Sequence, residues 1–424
     1  MIAPARRAAA DALLQIEQQA LDMGAAIAGV RATLTDERDQ GLLLELVSGT
    51  LRMRGAIDYQ LSLRVKRPLA KLDAAVLNIL RLSAFQLIYQ SRLPASAVIN
   101  DAVNLTRRGG KSSASGLTNA VLRGLSRERR QLTWPAAGHP DHLAVVHSHP
   151  RWLIERWLAR YGVENTTAWL AFNNQPAALC LVANRHLITR DALAEELLSD
   201  GVTTRPTSRA VNGLEVVDGR ALNTRAFREG RCLVQDEASQ LIAELAASVA
   251  GGRVLDLCAS PGGKTLALSV VKNTLVIASD VRANRVRLLA RTVARCRVPN
   301  VRVVHVADGP LPFANQTFDL ILIDAPCSGL GTVRRDPDIR WRRSPGDLPR
   351  FANAQRDLLA SAADLVRRGG SLVYSTCSSE PEENEHVVAA FLEARPDFSQ
   401  RQAHQTLPFR DHLEAFFGVV LERS

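Results

Sequence analysis

The chain has 424 residues, 46% of them hydrophobic and 23% charged, which is the balance of a folded protein too long for one ordinary core. Six cysteines without a Cys-x-x-Cys pair argue against a disulfide framework and against a cysteine-rich metal site. No apolar run of 18 residues and no secretory leader is visible, so we expect a cytoplasmic protein that does not cross a membrane.

The N-terminal part is basic and has a helical pattern. Residues 1–130 hold 19 Lys and Arg against 11 Asp and Glu, and so account for +8 of the net charge of +10. Apolar residues recur there at spacings of three and four, which predicts a bundle of α-helices. A basic helical domain is typical of proteins that bind nucleic acid. We assign residues 1–133 to this domain.

A linker rich in proline and histidine follows at residues 134–142. Histidines at 139, 142, 147 and 149 raise the question of a metal, but no closed set of ligands accompanies them, so a polar linker is the better interpretation. The next segment predicts helices at 151–161, 166–173 and 190–200, and strands at 178–183, 214–217 and 232–235. We therefore expect a small α+β module over residues 143–235.

Helices and strands alternate in the C-terminal part, which we assign to residues 236–424. The predicted strands are 253–257, 275–279, 301–306, 319–323 and 371–376. The predicted helices are 237–249, 264–270, 283–296, 353–367 and 382–394. Such alternation is typical of a doubly wound α/β domain with a Rossmann-like parallel sheet.

The first strand of this domain runs into a glycine turn that opens a helix. The turn reads Cys258-Ala259-Ser260-Pro261-Gly262-Gly263-Lys264. Its glycines let a ligand approach the backbone, and the helix N-terminus attracts a carboxylate or phosphate. A GxGxxG fingerprint is absent, which disfavours NAD. A Walker A loop is also disfavoured, because Cys258 stands where its first glycine belongs.

Acidic residues follow the next two strands, Asp280 after the second and Asp308 after the third. The first carboxylate suits a ribose diol, and the second suits the amino group of adenine. Ligands of open α/β sheets bind beyond the carboxyl ends of the strands, where these side chains converge. S-adenosylmethionine is therefore the cofactor that the pattern favours.

Two cysteines stand at the ends of apolar strands, Cys327 in Asp324-Ala325-Pro326-Cys327 and Cys377 in Thr376-Cys377-Ser378. A lone strand-end cysteine is usually a small buried side chain. Two thiols with such neighbours suit covalent methylation of carbon 5 of cytosine, which needs a thiolate, a contact to N3 and a base. Asp324 supplies the N3 contact, if protonated or bridged by water, and the two cysteines divide attack and release. We assign structural roles to Cys180, Cys232 and Cys296.

These motifs resemble a known family. Residues 256–265, 324–329 and 376–378 resemble motifs I, IV and VI of the RNA cytosine-5 methyltransferases of the NOL1/NOP2/Sun superfamily. Residues 333–341 and 381–385 strengthen the match. The N-terminal part resembles a NusB-like RNA-binding domain at residues 79–87, 97–103 and 118–123. Together they are similar to the bacterial ribosomal RNA enzymes of the Fmu/Sun type.

The resemblance implies methylation of 16S ribosomal RNA before the subunit assembles, by a monomer that uses S-adenosylmethionine. It further implies that residues 258–264 hold the methionine part, with Arg285 as a further cofactor contact. Asp280 would meet the ribose, Asp308 the adenine, and Asp324 would lie between cofactor and base. Cys377 would be the nucleophile and Cys327 would assist release. DNA enzymes use the motif IV cysteine instead and carry a Pro-Cys-Gln sequence that this chain lacks.

Two other functions stay open at this point. One is a transfer RNA cytosine-5 methyltransferase, although a NusB-like domain argues against it. The other is an RNA-binding assembly or antitermination factor with a vestigial cofactor site. For RNA contact we expect the basic helical domain and a group of arginines after motif IV, namely Arg334, Arg335, Arg340, Arg342 and Arg343.

Overall fold

The computed structural model describes residues 2–18, 21–90, 93–307 and 309–424. The chain divides into two compact units: Met1–Gln175 with Val333–Ser344, and Pro176–Thr332 with Pro345–Ser424. The division into three domains at 1–133, 143–235 and 236–424 stays a prediction. Among the described residues, no helix combines the length and apolar character that a membrane crossing requires.

The first unit is helical, as predicted. Its helices are α1 (Pro4–Glu17), α2 (Met23–Arg31), α3 (Glu37–Arg52), α4 (Arg54–Ser62), α5 (Ala74–Tyr89), α6 (Ala95–Arg108), α7 (Ser115–Glu128), α8 (His142–Val146), α9 (Arg151–Asn174) and α15 (Ile339–Arg342). Aspartate side chains cap α2, α3 and α5 by accepting backbone N–H groups. Helix α5 is buried over residues 76–87, so the bundle packs around it. Gly162 interrupts α9 at φ 75°, which explains why the sequence pattern predicts two helices there.

The segment 333–344 belongs to this helical unit, although it follows motif IV in the sequence. Arg340 is fully buried. Its guanidinium donates to the Ser148 carbonyl at 3.0 Å, the Asn174 Oδ1 at 3.0 Å and the Asn173 carbonyl at 3.2 Å. The expectation that Arg340 contacts RNA is therefore wrong, because internal acceptors take up its donors. For the other four arginines the expectation stays a prediction.

The second unit begins with a small antiparallel sheet in the order β2-β3-β1-β4. Its strands are β1 (Leu179–Ala183), β2 (Thr203–Pro206), β3 (Gly213–Asp218) and β4 (Cys232–Val234). Helices α10 (Arg190–Ser199) and α11 (Arg225–Arg228) accompany them. The predicted elements do not include β2, because this edge strand is short and mostly exposed and so lacks an apolar face.

The larger sheet has the order β10-β11-β9-β8-β5-β6-β7 within the described residues. Its strands are β5 (Gly252–Leu257), β6 (Thr274–Asp280), β7 (Val301–His305), β8 (Phe318–Asp324), β9 (Val366–Thr376), β10 (Phe398–Thr406) and β11 (Phe416–Arg423). The helices are α12 (Glu237–Ser248), α13 (Gly263–Ser269), α14 (Ala283–Arg295), α16 (Asp347–Ala363), α17 (Glu385–Ala394) and α18 (Pro408–Asp411). Strands β5 to β9 pair in parallel, and β11 pairs antiparallel with both β9 and β10. The predicted Rossmann-like class is confirmed, with a mixed sheet.

The strand order places the site at the centre of this sheet. The chain builds β5, β6 and β7 in one direction and then returns to add β8 and β9 on the other side of β5. A ligand crevice forms at such a reversal, beyond the carboxyl ends of the strands. Leu320–Ile323 of β8 are completely buried, as expected for a strand covered on both faces. The centre of the sheet therefore carries Asp324 at the end of β8, Cys327 just past β8, and Cys377 just past β9.

Candidate active site

The turn between β5 and α13 passes close to its neighbours. Gly262 has φ 111°, a conformation that favours glycine. A Cβ on Gly263 would lie 2.9 Å from the Gln235 side chain, so that side chain would have to shift. Behind the turn, Thr265 Oγ1 donates to Asp256 Oδ2 at 2.6 Å. Asp256 is fully buried, and burial raises its pKa to about 7.

Asp280 ends β6 and is almost completely buried. Arg285 Nε lies 3.0 Å from Asp280 Oδ2, and Arg285 Nη2 donates to the Ser260 carbonyl at 2.7 Å. Arg285 thus ties the turn after β5 to the end of β6. A cavity of about 400 Å³ opens beside these groups, with Leu257, Cys258, Ser279, Asp280, Val306 and Leu311 in its wall. Asp308 lies outside the described residues, and its adenine contact stays a prediction.

Lys264, which is buried, forms an ion pair with Asp324, which is partly exposed. The two side chains meet at 2.8 Å, Nζ to Oδ2. Lys264 Nζ also donates to Ser239 Oγ at 3.0 Å, and Ser375 Oγ donates to Asp324 Oδ1 at 3.0 Å. Burial opposes the charge of Lys264, but the Asp324 carboxylate outweighs that effect and raises the pKa of the ammonium group. Lys264 is therefore a fixed cation beside Asp324.

The two cysteines predicted to be catalytic lie together. Cys327 Sγ and Cys377 Sγ are 3.3 Å apart, and both side chains are half-buried. The hydrogen bond with Cys377 and burial raise the pKa of Cys327 well above its ordinary value. The raised pKa favours the protonated form of Cys327.

Sequence reasoning missed some of the side chains at this site. It did not foresee that the Lys264 ammonium group contacts Asp324 and Ser239, and the assignment of Lys264 to the cofactor stays a prediction. Neither Ser239, on α12, nor Ser375, inside β9, belongs to a motif that distinguishes it from other serines. Cys180, Cys232 and Cys296 are buried away from the thiol pair. Within the described ranges, no group of three or more His, Cys, Asp or Glu side chains is arranged to hold a metal ion.

Three family models match successive parts of the chain. Residues 3–127 match the NusB family. Residues 149–222 match the ferredoxin-like domain described as Methyltr_RsmF/B-like. Residues 244–417, which include the turn and both thiols, match the family described as 16S rRNA methyltransferase RsmB/F.

Curated proteins match along most of the chain. The "Probable ribosomal RNA small subunit methyltransferase B" of Bacillus subtilis is 33% identical over 93% of this chain and 89% of its own length. The "Ribosomal RNA small subunit methyltransferase B" of Pseudomonas putida is 36% identical over 85% of this chain and 83% of its own length. Among solved structures, that of PH0851 covers all of this chain and 99% of its own, with a TM-score of 0.85 and 24% identity, and it supports the fold alone.

Proposed function

Since the chain belongs to the 16S rRNA methyltransferase RsmB/F family, we propose that it methylates carbon 5 of a cytosine in 16S ribosomal RNA through a covalent Cys377 adduct. The observation that carries this proposal is the 3.3 Å separation of the Cys327 and Cys377 sulphur atoms beside the Lys264–Asp324 pair. Methyl transfer to a nitrogen or oxygen atom needs no thiol, because those atoms are nucleophiles themselves. Carbon 5 needs a nucleophile at carbon 6 to activate it.

S-adenosylmethionine fits the residues at the carboxyl ends of β5 and β6. The turn holds two glycines where a Cβ would be strained or would clash, and the cavity of about 400 Å³ beside it has Asp280 in its wall. A carboxylate there suits a ribose diol, and the Asp280–Arg285 pair fixes it in place. When bound, the cofactor supplies the electrophilic methyl group that the activated carbon 5 takes up.

Cys377 is the better placed nucleophile. We assign the attacking thiolate to Cys377, because the hydrogen bond between the two thiols and burial raise the pKa of Cys327 and favour its protonated form. In the first step a Cys377 Sγ–C6 bond forms, and the electrons of the C5–C6 double bond move toward N3. The Lys264–Asp324 pair supplies positive charge and a hydrogen bond that stabilise the charge on N3, without transfer of a proton. Carbon 5 then behaves as an enamine carbon.

Release requires that carbon 5 lose its proton. Once Cys377 is bound to carbon 6, its hydrogen bond and its charge no longer contribute to the raised pKa of Cys327. The Cys327 thiol then loses its proton to water, and the thiolate takes the C5 proton directly or through a water molecule. The electrons of that C–H bond restore the C5–C6 double bond and expel Cys377 as a thiolate. Both cysteines thus return to their starting states.

The test is transfer of labelled methyl from S-adenosylmethionine to protein-free 16S rRNA, with transfer RNA in parallel. We expect label in 5-methylcytosine of the rRNA, absent in Cys377→Ala. Label in transfer RNA alone would change the substrate and keep the chemistry. Full activity of Cys377→Ala would remove the proposed nucleophile. Bound cofactor without transfer to either RNA would favour the RNA-binding assembly factor.

A further inference from the structure

The segment Pro381–Glu385 follows the second thiol and has no role in the steps described so far. It contains a three-residue 3-10 turn, Pro381–Glu383, that leads into α17. Glu383 and Asn384 are both completely buried. A buried carboxylate is costly unless donors surround it, so its contacts indicate what it stabilises.

The Glu383 carboxylate joins the residues that directly follow both cysteines. Its Oε1 accepts the Ser328 backbone N–H at 2.7 Å, and its Oε2 accepts the Ser328 hydroxyl at 2.5 Å. The same Oε2 accepts the Ser378 hydroxyl. Ser328 and Ser378 are 50 residues apart in the chain, and their Oγ atoms lie 3.2 Å from each other. One side chain therefore connects the turn after β8 to the turn after β9.

Neighbouring side chains complete this arrangement on either side of each thiol. Gln355 Nε2 donates to the Pro326 carbonyl at 3.0 Å and to Glu383 Oε1 at 3.2 Å. Asn384 Oδ1 accepts from Thr376 Oγ1 at 2.5 Å, and Asn384 Nδ2 donates to the Ser378 carbonyl at 2.9 Å. The residues before and after both Cys327 and Cys377 are thus held by buried polar groups.

We propose that Glu383 is a positioning residue that fixes Cys327 and Cys377 at the separation required for reaction. It touches neither thiol and acts through Ser328 and Ser378. Its contribution to catalysis rests on the proposed function, whereas its effect on the distance between the thiols does not. Without the carboxylate, the Ser328 N–H and two hydroxyls lose their common acceptor, and the two turns are free to separate.

Phenylarsine oxide reports whether the two sulphur atoms are close enough to bind the same arsenic. Its arsenic forms one bond to each sulphur, and the two thiol protons leave with the oxygen as water. The experiment needs neither RNA nor cofactor. Adducts are read by intact mass and mapped by proteolysis, with Cys377→Ala as the variant that cannot form one. The test variant is Glu383→Gln, which keeps the volume but turns one acceptor oxygen into a donor. The matched control is Glu393→Gln, the same change at an exposed position on α17.

We expect the full-length protein and Glu393→Gln to bind one arsenical per chain at Cys327 and Cys377. Glu383→Gln should bind it at least tenfold more weakly, and its kcat for methyl transfer should fall roughly 10²-fold with both KM values nearly unchanged. Arsenical binding and kcat like those of the unsubstituted protein would overturn the proposal. If Glu383→Gln binds the arsenical more weakly but the unsubstituted protein methylates no RNA, the positioning role stands and the proposed function is rejected.

A second variant distinguishes a loss of thiol positioning from a general structural defect in Glu383→Gln. Ser378→Ala removes only one hydroxyl that donates to the carboxylate. It should show a smaller loss of arsenical binding in the same direction, with a smaller fall in melting temperature than Glu383→Gln. If Ser378→Ala and Glu383→Gln both bind the arsenical normally, Glu383 does not position the thiols.

Discussion

Asp256, which lies behind the turn between β5 and α13, allows a quantitative test of how burial changes a pKa and thereby the pH dependence of stability. Its side chain is completely buried, Thr265 donates to one oxygen, and burial raises its pKa from 3.8 to about 7. The folded protein therefore holds this proton more tightly than the unfolded chain does. The resulting stabilisation is complete below about pH 4 and is lost as the pH rises through about 7. A shift of roughly three pKa units corresponds to about 4 kcal/mol in total.

The perturbation is Asp256→Asn, which keeps the shape and removes the ionisation. Between pH 5 and pH 8 the stability of the unsubstituted protein should fall by about 3 kcal/mol relative to the variant. All five tryptophans, at 134, 152, 157, 169 and 341, belong to the helical unit, so their fluorescence does not report on this site. Hydrogen exchange of peptides that cover β5 does report on the site, when the two proteins are compared at each pH.

The control is Asp200→Asn, an exposed aspartate of the same unit, which should leave the pH dependence unchanged. A difference in opening free energy between Asp256→Asn and the unsubstituted protein that stays constant from pH 5 to pH 8 would refute the reasoning. It would mean that Asp256 ionises in the folded state as easily as in the unfolded one. If the unsubstituted protein instead gained stability relative to Asp256→Asn from pH 5 to pH 8, the sign would be opposite and the reasoning would be refuted equally.

Three further predictions concern the thiols and their surroundings. Cys327→Ala should accumulate a protein–RNA adduct that survives a denaturing gel, whereas Cys377→Ala should form none; an adduct in Cys377→Ala would reverse the assigned roles. Gly331→Ala should destabilise the second unit by about 3 kcal/mol in hydrogen exchange, because the added Cβ would lie 2.0 Å from the Ala415 carbonyl oxygen and 2.8 Å from that of Cys377; an unchanged value would show that these turns yield. Arg340→Met should destabilise the helical unit by about 2–4 kcal/mol, since buried carbonyls lose their donor, and tryptophan fluorescence during urea unfolding measures it. If instead the variant keeps its stability and the salt dependence of RNA binding becomes less steep, Arg340 contacts phosphate after all.

The sequence predicts strand ends well, because a run of apolar residues buried on both faces is recognisable without knowledge of its partners. Strands β5, β6, β7 and β8 lie within one residue of their predicted bounds at each end. The start of β9 was missed because its first residues, Val366-Arg367-Arg368-Gly369-Gly370, are mostly polar or glycine. Helix α16 begins six residues before its predicted start, since Pro349 in its first turn reads as a break although the first turn tolerates proline. The predicted elements do not include β10, whose exposed polar residues suit an edge strand, or β11.

Contacts between distant parts of the chain follow a different rule. Cys327 and Cys377 are predictable individually, since each follows an apolar strand, and their proximity follows from the parallel pairing of β8 and β9. The partner of Lys264 is not predictable in this way. Lys264 lies in α13, and no local sequence pattern indicates that its ammonium group reaches Asp324. The same holds for Glu383, one acid in a segment that contains three. A motif match treats these three acids alike. Only the structure shows that Glu383 is completely buried and joins the turns after β8 and β9.

In the proposed mechanism, one cysteine would not suffice. A single thiol would be consumed in the adduct at carbon 6 when carbon 5 must lose its proton. The second thiol lies 3.3 Å away, and its pKa, raised by the hydrogen bond with Cys377 and by burial, favours the protonated form during the attack. Formation of the adduct removes the contribution of Cys377 to that raised pKa, so the adduct itself would set the order of events. Cys327 would then act as a base only after Cys377 has reacted, which would keep it from competing for carbon 6 at the start.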